Sequence, residues 1–184
     1  MSQYNVAIVG ATGLVGETLL SLLEDREFPV SSLIPIASER SQNKHVQFKG
    51  QNINIQVLND FNFTGVDFAF FSAGALVSEQ FAPIAAKAGA IVIDNTSQFR
   101  YQDHIPLVIP EVNPDALINF SSTNIIANPN CSTIQMLVAL QPIHQTAKIT
   151  KINVSTYQSI SGAGRKTLDI FNQQLISDEY PNSD

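Results

Sequence analysis

A chain of 184 residues has room for one domain, or one and a piece, and its 44% apolar content is enough to close a core. Charged residues make up only 14%, against an average of about 25%, which excludes a disordered, strongly solvated chain and leaves surface for something else to cover. A net charge of −6 with no basic block excludes nucleic acid as a partner, and a lone cysteine, Cys131, excludes a disulfide framework or a zinc cluster.

The chain opens on a short apolar run, Val6-Ala7-Ile8-Val9, which reads as a buried strand. Gly10, Gly13 and Gly16 follow, and then leucines at 19, 20, 22 and 23 that suit a helix over 17–24 packed on a sheet. Strand, glycine turn and helix make the first half of a βαβ unit. Residues 33–37 read as a second strand, placed at an edge or an end by Pro35. Residues 46–48 and 53–57 alternate with period two, as a half-exposed hairpin does. Strands are expected at 67–71, 90–94, 107–109 and 123–127, and helices at 80–88, stopped by Gly89, and at 132–143. After that the texture changes to an alternating strand at 151–157 and a helix at 165–176, with a polar connection at 177–184. The expected class is α/β: a Rossmann-like, mostly parallel sheet flanked by helices over residues 1–130, then the start of an α+β domain over 131–184. There is no internal repeat and no low-complexity tract. No run approaches the roughly 20 apolar residues of a membrane span, and residues 1–5 have no signal-peptide character, so the chain reads as soluble and cytoplasmic.

Glycine lets a backbone approach a pyrophosphate closely, and a helix N-terminus offers N–H groups and positive potential. Gly10, Gly13 and Gly16 are therefore candidate dinucleotide contacts, the alternative being a tight turn without a ligand. The end of the second strand should meet the adenosine ribose. Arg40, Ser41 and Lys44 suit the 2′-phosphate of NADP, whereas Glu39 suits a 2′-hydroxyl; NADP is the favoured reading and a solvated loop the alternative. Ser72-Ala73-Gly74 ends another strand, where an open α/β sheet leaves room for a ligand or simply turns into a helix. Cys131 stands between Asn128-Pro129-Asn130 and a helix. There, unpaired N–H groups and the helix dipole favour a thiolate nucleophile, and neighbouring backbone N–H groups can hold an oxyanion. The polar flanks Asn130, Ser132 and Thr133 argue against an inert core cysteine.

Together these segments resemble the aspartate-semialdehyde dehydrogenase family. The matching stretches run from the glycine turn through Ala37-Ser38-Glu39-Arg40-Ser41, Phe71-Ser72-Ala73-Gly74, Asp94-Asn95-Thr96-Ser97-Gln98-Phe99-Arg100, Ile109-Pro110-Glu111-Val112-Asn113 and Asn128-Pro129-Asn130-Cys131-Ser132-Thr133 to Ser155-Thr156-Tyr157-Gln158-Ser159-Ile160-Ser161-Gly162-Ala163-Gly164. The resemblance implies that Cys131 is the acyl-thioester nucleophile and that Gln158 orients substrate beside it. It implies that Arg100 and Asn130 meet phosphate or substrate, and that Thr12, Gly13, Leu14, Val15, Arg40, Ser41, Ser161 and Gly162 are NADP contacts. It implies a homodimer acting on aspartate semialdehyde, aspartyl phosphate and inorganic phosphate, in lysine, threonine and methionine biosynthesis. Taken alone, Arg100 and Gln158 read as a surface ion pair and a strand-edge amide rather than as site residues, and only the resemblance moves them. Asn43 departs from the family's pattern, where glycine is frequent.

The family is about twice as long as this chain, judged by the size of two-domain dehydrogenases, and its general-base histidine and substrate-binding arginine fall in the other half. His45, His104 and His144 match neither. The chain therefore reads as an N-terminal fragment with little turnover by itself. Two other readings stay open: a non-catalytic NADP-binding or oligomerisation module, and a relative of N-acetyl-glutamyl-phosphate reductase.

Overall fold

The computed structural model describes residues 3–177. It falls into two compact units, Met1–Ile152 and Asn153–Asp184. The expected polar connection at 177–184 lies outside the described residues, save Ser177.

The first unit is built on a six-stranded parallel sheet. Its strands are β1 (Tyr4–Val9), β2 (Val30–Ala37), β5 (Gln56–Val57), β6 (Phe68–Phe71), β7 (Ile91–Asp94) and β8 (Ile125–Ala127), in the order β5-β2-β1-β6-β7-β8. A separate antiparallel hairpin, β3 (His45–Phe48) and β4 (Gln51–Asn54), lies between β2 and β5 in the chain. The helices are α1 (Leu14–Asp25), α2 (Ala75–Lys87) and α3 (Cys131–Ala147). Side chains alternate across a strand, and β1 shows why the sheet is covered on both sides. Ala7 and Val9 join Phe63, Phe71 and Ala85 in one core cluster, and Val6 and Ile8 join Leu20, Leu23 and Leu33 in the other. A strand buried on both faces is the reason that its sequence is an unbroken apolar run.

Pro35 does not mark an edge strand. β2 is second from the edge, but β5 pairs only with Ile36 and Ala37, so the missing N–H of Pro35 falls where the outer neighbour has not begun. The strand expected at 53–57 breaks at buried Ile55, whose N–H donates to the Lys44 carbonyl at 3.0 Å; the residues before it pair in the hairpin and those after it join the main sheet. The expected strand at 107–109 is reduced to one parallel bridge, Leu107 to Ala127, because the Asn113 side chain takes the Ile109 N–H at 2.8 Å. The helix expected at 80–88 begins earlier, at Ala75, and runs through Pro83.

The second unit contains α4 (Arg165–Ser177), preceded by a 3-10 turn, Ile160–Ala163. The expected strand at 151–157 does not form. Its residues are exposed, and among the described residues none pairs with them; period-two alternation makes a strand only where a neighbour completes the ladder.

Candidate active site

The strand order reverses between β1 and β6, since the chain moves outward from β1 through β2 and returns on the other side at β6. Ligands of open α/β sheets bind at the carboxyl ends of the strands at such a switch point, and both flanking turns carry predicted residues. Gly10 has φ +95, and a Cβ there would lie 2.9 Å from Ser72 Oγ, 3.0 Å from the Ser72 carbonyl carbon and 3.1 Å from Ala73 N. Ser72 ties the second turn to the first, donating from its main-chain N (2.9 Å) and from Oγ (3.2 Å) to the Val9 carbonyl. Gly13 is the N-cap of α1, extended and without a side-chain cap. Thr12, Gly13 and Leu14 are half-buried and Val15 is exposed. An uncapped first helical turn beside a glycine turn fits a dinucleotide pyrophosphate: its N–H groups need an acceptor and no Cβ stands in the way.

Gly16 has a different task. A Cβ on it would strike the Gly10 carbonyl oxygen and lie 2.8 Å from Ala11 Cα, so it lets α1 sit directly on the turn. Gly16→Ala gains about 1 kcal/mol of helix propensity, but the obstacle is backbone, and overpacking costs about 1–3 kcal/mol. The expected outcome is a net loss near 1 kcal/mol in a urea unfolding curve, together with weaker dinucleotide binding.

At the end of β2 a 3-10 turn, Glu39–Ser41, exposes Glu39 and Arg40, with Lys44 also exposed and Ser41 buried. The structure thus presents both cations and the competing carboxylate to one turn.

The residues expected to act as nucleophile and phosphate-binding arginine lie beyond the ends of β7 and β8. Asp94, fully buried, accepts from Ser78 Oγ at 2.6 Å, from Thr96 Oγ1 at 2.7 Å and from Thr96 N at 3.3 Å. It anchors both α2 and the loop toward Arg100. Arg100 is half-buried, and donates from Nε to the Asn128 carbonyl and from Nη2 to the Asn95 carbonyl, each at 3.0 Å. Asn128 Nδ2 donates to Asn95 Oδ1 at 2.5 Å. Three residues after Asn128, Cys131 occupies the first position of α3, with its side chain exposed. This is what a nucleophile requires, as opposed to a core thiol.

Asn130 is the N-cap of α3, its Oδ1 accepting from Ser132 N at 3.0 Å and Thr133 N at 3.4 Å. The expectation that several neighbouring backbone N–H groups hold an oxyanion is corrected here: those two are committed to the cap, which leaves the N–H of Cys131 itself. Asn130→Ala is expected to cost about 1 kcal/mol by chemical denaturation, and Asn130→Asp to retain the cap.

Gln158, Ser161 and Gly162 lie exposed in the second unit. There, the Gln158 side chain packs on Gly162, where a Cβ would overlap Gln158 Nε2. Ser159 and Ser161 hydroxyls bond at 3.0 Å, and the Gly162 N–H donates to the Ser159 carbonyl at 2.9 Å. Asp94, Asn95 and Asn128 were not singled out from the sequence as working residues. A charge at the end of an apolar strand was the available signal for Asp94; nothing local signals a bond between residues 33 apart. Among the described residues no group of acidic, histidine and cysteine side chains could hold a metal ion, and no helix is long and apolar enough to cross a membrane.

Residues 5–120 match the family model described as the NAD-binding domain of semialdehyde dehydrogenase. The chain belongs to the semialdehyde dehydrogenase family. It is 58% identical over 167 residues to aspartate-semialdehyde dehydrogenase 2 of Vibrio cholerae, covering 91% of this chain and 50% of that protein. The crystal structure of aspartate semialdehyde dehydrogenase II complexed with ASA, also from Vibrio cholerae, is similar with a TM-score of 0.95 and 52% identity, over 100% of this chain and 56% of that one. An aspartate semialdehyde dehydrogenase with NADP from Candida albicans is 25% identical with a TM-score of 0.67, over 80% of this chain and 48% of that one. The chain thus spans about half the length of the semialdehyde dehydrogenases it matches. The resemblance drawn from the motifs holds, as does the Rossmann-like fold, and the cofactor class is a nicotinamide dinucleotide.

Proposed function

We propose that this chain is the cofactor-binding and nucleophile-bearing part of an NADP-dependent aspartate-semialdehyde dehydrogenase. It would interconvert L-aspartate 4-semialdehyde, phosphate and NADP with 4-aspartyl phosphate and NADPH, in a cytoplasmic homodimer serving lysine, threonine and methionine biosynthesis. The observation that carries this reading is Cys131, an exposed thiol opening the helix after β8 at the carboxyl edge of a sheet whose switch point bears the glycine turn. Residues 1–130 serve as the dinucleotide-binding domain, and residues 131–184 begin the catalytic and dimerisation domain.

In the reductive direction the Cys131 thiolate attacks the acyl carbon of 4-aspartyl phosphate. The S–C bond forms, the C–O bond to phosphate breaks, and Arg100 binds the departing phosphate. NADPH, when bound, supplies the hydride that converts the thioester into a thiohemiacetal. Expulsion of Cys131 then releases the aldehyde, with Gln158 and Asn130 orienting the substrate. Gly10, Thr12, Gly13, Leu14, Val15, Ser72, Ala73, Gly74, Ser161 and Gly162 contact the dinucleotide. Proton transfer at the sulfur needs a further group. His144 is on α3 itself, 13 residues along from Cys131, or roughly 20 Å at 1.5 Å per residue, so it does not serve. The 184-residue chain alone is expected to bind cofactor and alkylate at Cys131 without turning over.

Two measurements on the purified chain test this. Iodoacetamide should modify Cys131 stoichiometrically, as read by mass spectrometry. Calorimetric titration should show NADP binding more tightly than NAD, and Arg40→Ala should weaken NADP by about 10–100-fold, the value of a charge-assisted bond, with little effect on NAD. Tighter binding of NAD, unmoved by Arg40→Ala, rejects the NADP assignment; an inert Cys131 rejects the nucleophile.

A further inference from the structure

We infer that the side-chain bond between Asn128 and Asn95 is a positioning device, which holds together the two main-chain carbonyls that orient the Arg100 guanidinium and, with them, the start of the turn that delivers Cys131; the inference rests on the phosphate and nucleophile roles proposed for those two residues. The three residues close a ring of hydrogen bonds. Arg100 Nε reaches the Asn128 carbonyl, Arg100 Nη2 reaches the Asn95 carbonyl, and the Asn128 amide reaches the Asn95 side-chain carbonyl. Asn128 N also donates to the Asp94 carbonyl at 2.8 Å, so the ring is pinned to the sheet.

The chemistry of the guanidinium gives the ring its purpose. Nε–H and one Nη2–H form one edge of a rigid plane, and both carbonyls lie on that edge. The remaining Nη1 and Nη2 protons form the fork that suits a phosphate. Both partners are neutral carbonyls, so these bonds cancel none of the charge. The ring therefore spends one edge of the arginine on orientation and leaves the other edge, and the full positive charge, for an anion. On the other side of Asn128 stands buried Pro129, whose ring restricts φ. The path from Asn128 to the Asn130 cap and Cys131 is thus short and stiff.

The amide bond itself is the element to break. In Asn95→Asp the carboxylate still accepts from the Asn128 amide. Asn128→Ala removes the donor. The Asn95→Asp/Asn128→Asp double variant sets two acceptors against each other. The readout is hydrogen exchange of the Arg100 Nε–H in ¹⁵N-labelled protein, assigned by its loss in Arg100→Lys, with iodoacetamide kinetics at Cys131 and thermal melting followed alongside. Wild type and Asn95→Asp are expected to show a slowly exchanging Nε–H. Asn128→Ala and the double variant are expected to exchange at least about tenfold faster while remaining folded, with the rate of Cys131 alkylation changed in the same two variants. If the double variant does not fold, Asn128→Ala and Asn128→Ser against Asn95→Asp carry the comparison. An Nε–H that exchanges equally in every folded variant, or that is unprotected in wild type, overturns the proposal. If the exchange pattern holds while Cys131 is inert throughout, the nucleophile assignment fails and the positioning of Arg100 stands.

Discussion

If the proposed function holds, Cys131→Ser is expected to lower the phosphate-dependent oxidation of aspartate semialdehyde by the enzyme carrying this chain by about 10⁴-fold or more, and to leave dinucleotide binding within about twofold. The hydroxyl is smaller and far less ionised than the thiol, so no covalent acyl intermediate forms at a useful rate. Nothing else in the site should move. Cys131 is exposed, so little packing is lost, and the cap from Asn130 to Ser132 N and Thr133 N uses no atom of the cysteine side chain. The glycine turn is set by Gly10 against Ser72, which does not involve α3. Steady-state kinetics with a separate calorimetric titration of the cofactor distinguish the two effects. A serine variant within tenfold of wild type would mean that the acyl group is never carried on this residue.

Asp94→Ala is expected to be the most destabilising single change of those considered, at about 4 kcal/mol. The carboxylate is fully buried and accepts from two hydroxyls and one main-chain N–H. Removing it strands Ser78, itself fully buried, and Thr96, each at about 1–3 kcal/mol for an unsatisfied buried donor, and adds a cavity where α2 meets the end of β7. Asp94→Asn keeps one acceptor, and a rotated hydroxyl can accept from its amide, so about 1–2 kcal/mol is expected. Urea denaturation of both variants checks the order. Because Thr96 Oγ1 in turn accepts from Gln98 N at 3.2 Å, loss of Asp94 should also loosen the loop that carries Arg100 and alter the Cys131 alkylation rate. If Asp94→Ala costs less than about 1 kcal/mol, water satisfies the donors of Ser78 and Thr96, and the anchoring role of Asp94 is lost.

The features legible in the sequence are those that a single element imposes on itself. The run Val6-Ala7-Ile8-Val9 demanded a strand buried on two faces, because only a covered parallel strand tolerates unbroken apolar side chains. The glycine turn behind it demanded a helix start. Cys131 between polar neighbours and ahead of a helical stretch was readable as a thiol outside the core at a helix start for the same reason: helix position and flank polarity are local. The errors arose where structure depends on a partner. The alternation at 151–157 had strand character but no ladder to join, and the run at 107–109 keeps only one bridge, to Ala127. The N–H groups beside Cys131 read as open to a ligand, and two of them are taken by the Asn130 side chain.

By itself, then, the amino-acid order determined the class of fold, the switch-point turn with its glycines and the thiol at the head of α3, since each follows from backbone sterics and hydrophobic periodicity within a few residues. Only the tertiary structure decided that Gly16 carries a helix on the turn of Gly10, that Asp94 bonds Ser78 across 16 residues and that Arg100 is gripped by the carbonyls of Asn95 and Asn128. These depend on which strands become neighbours. Sheet order brings residues 95 and 128 together through long-range burial that no local pattern encodes.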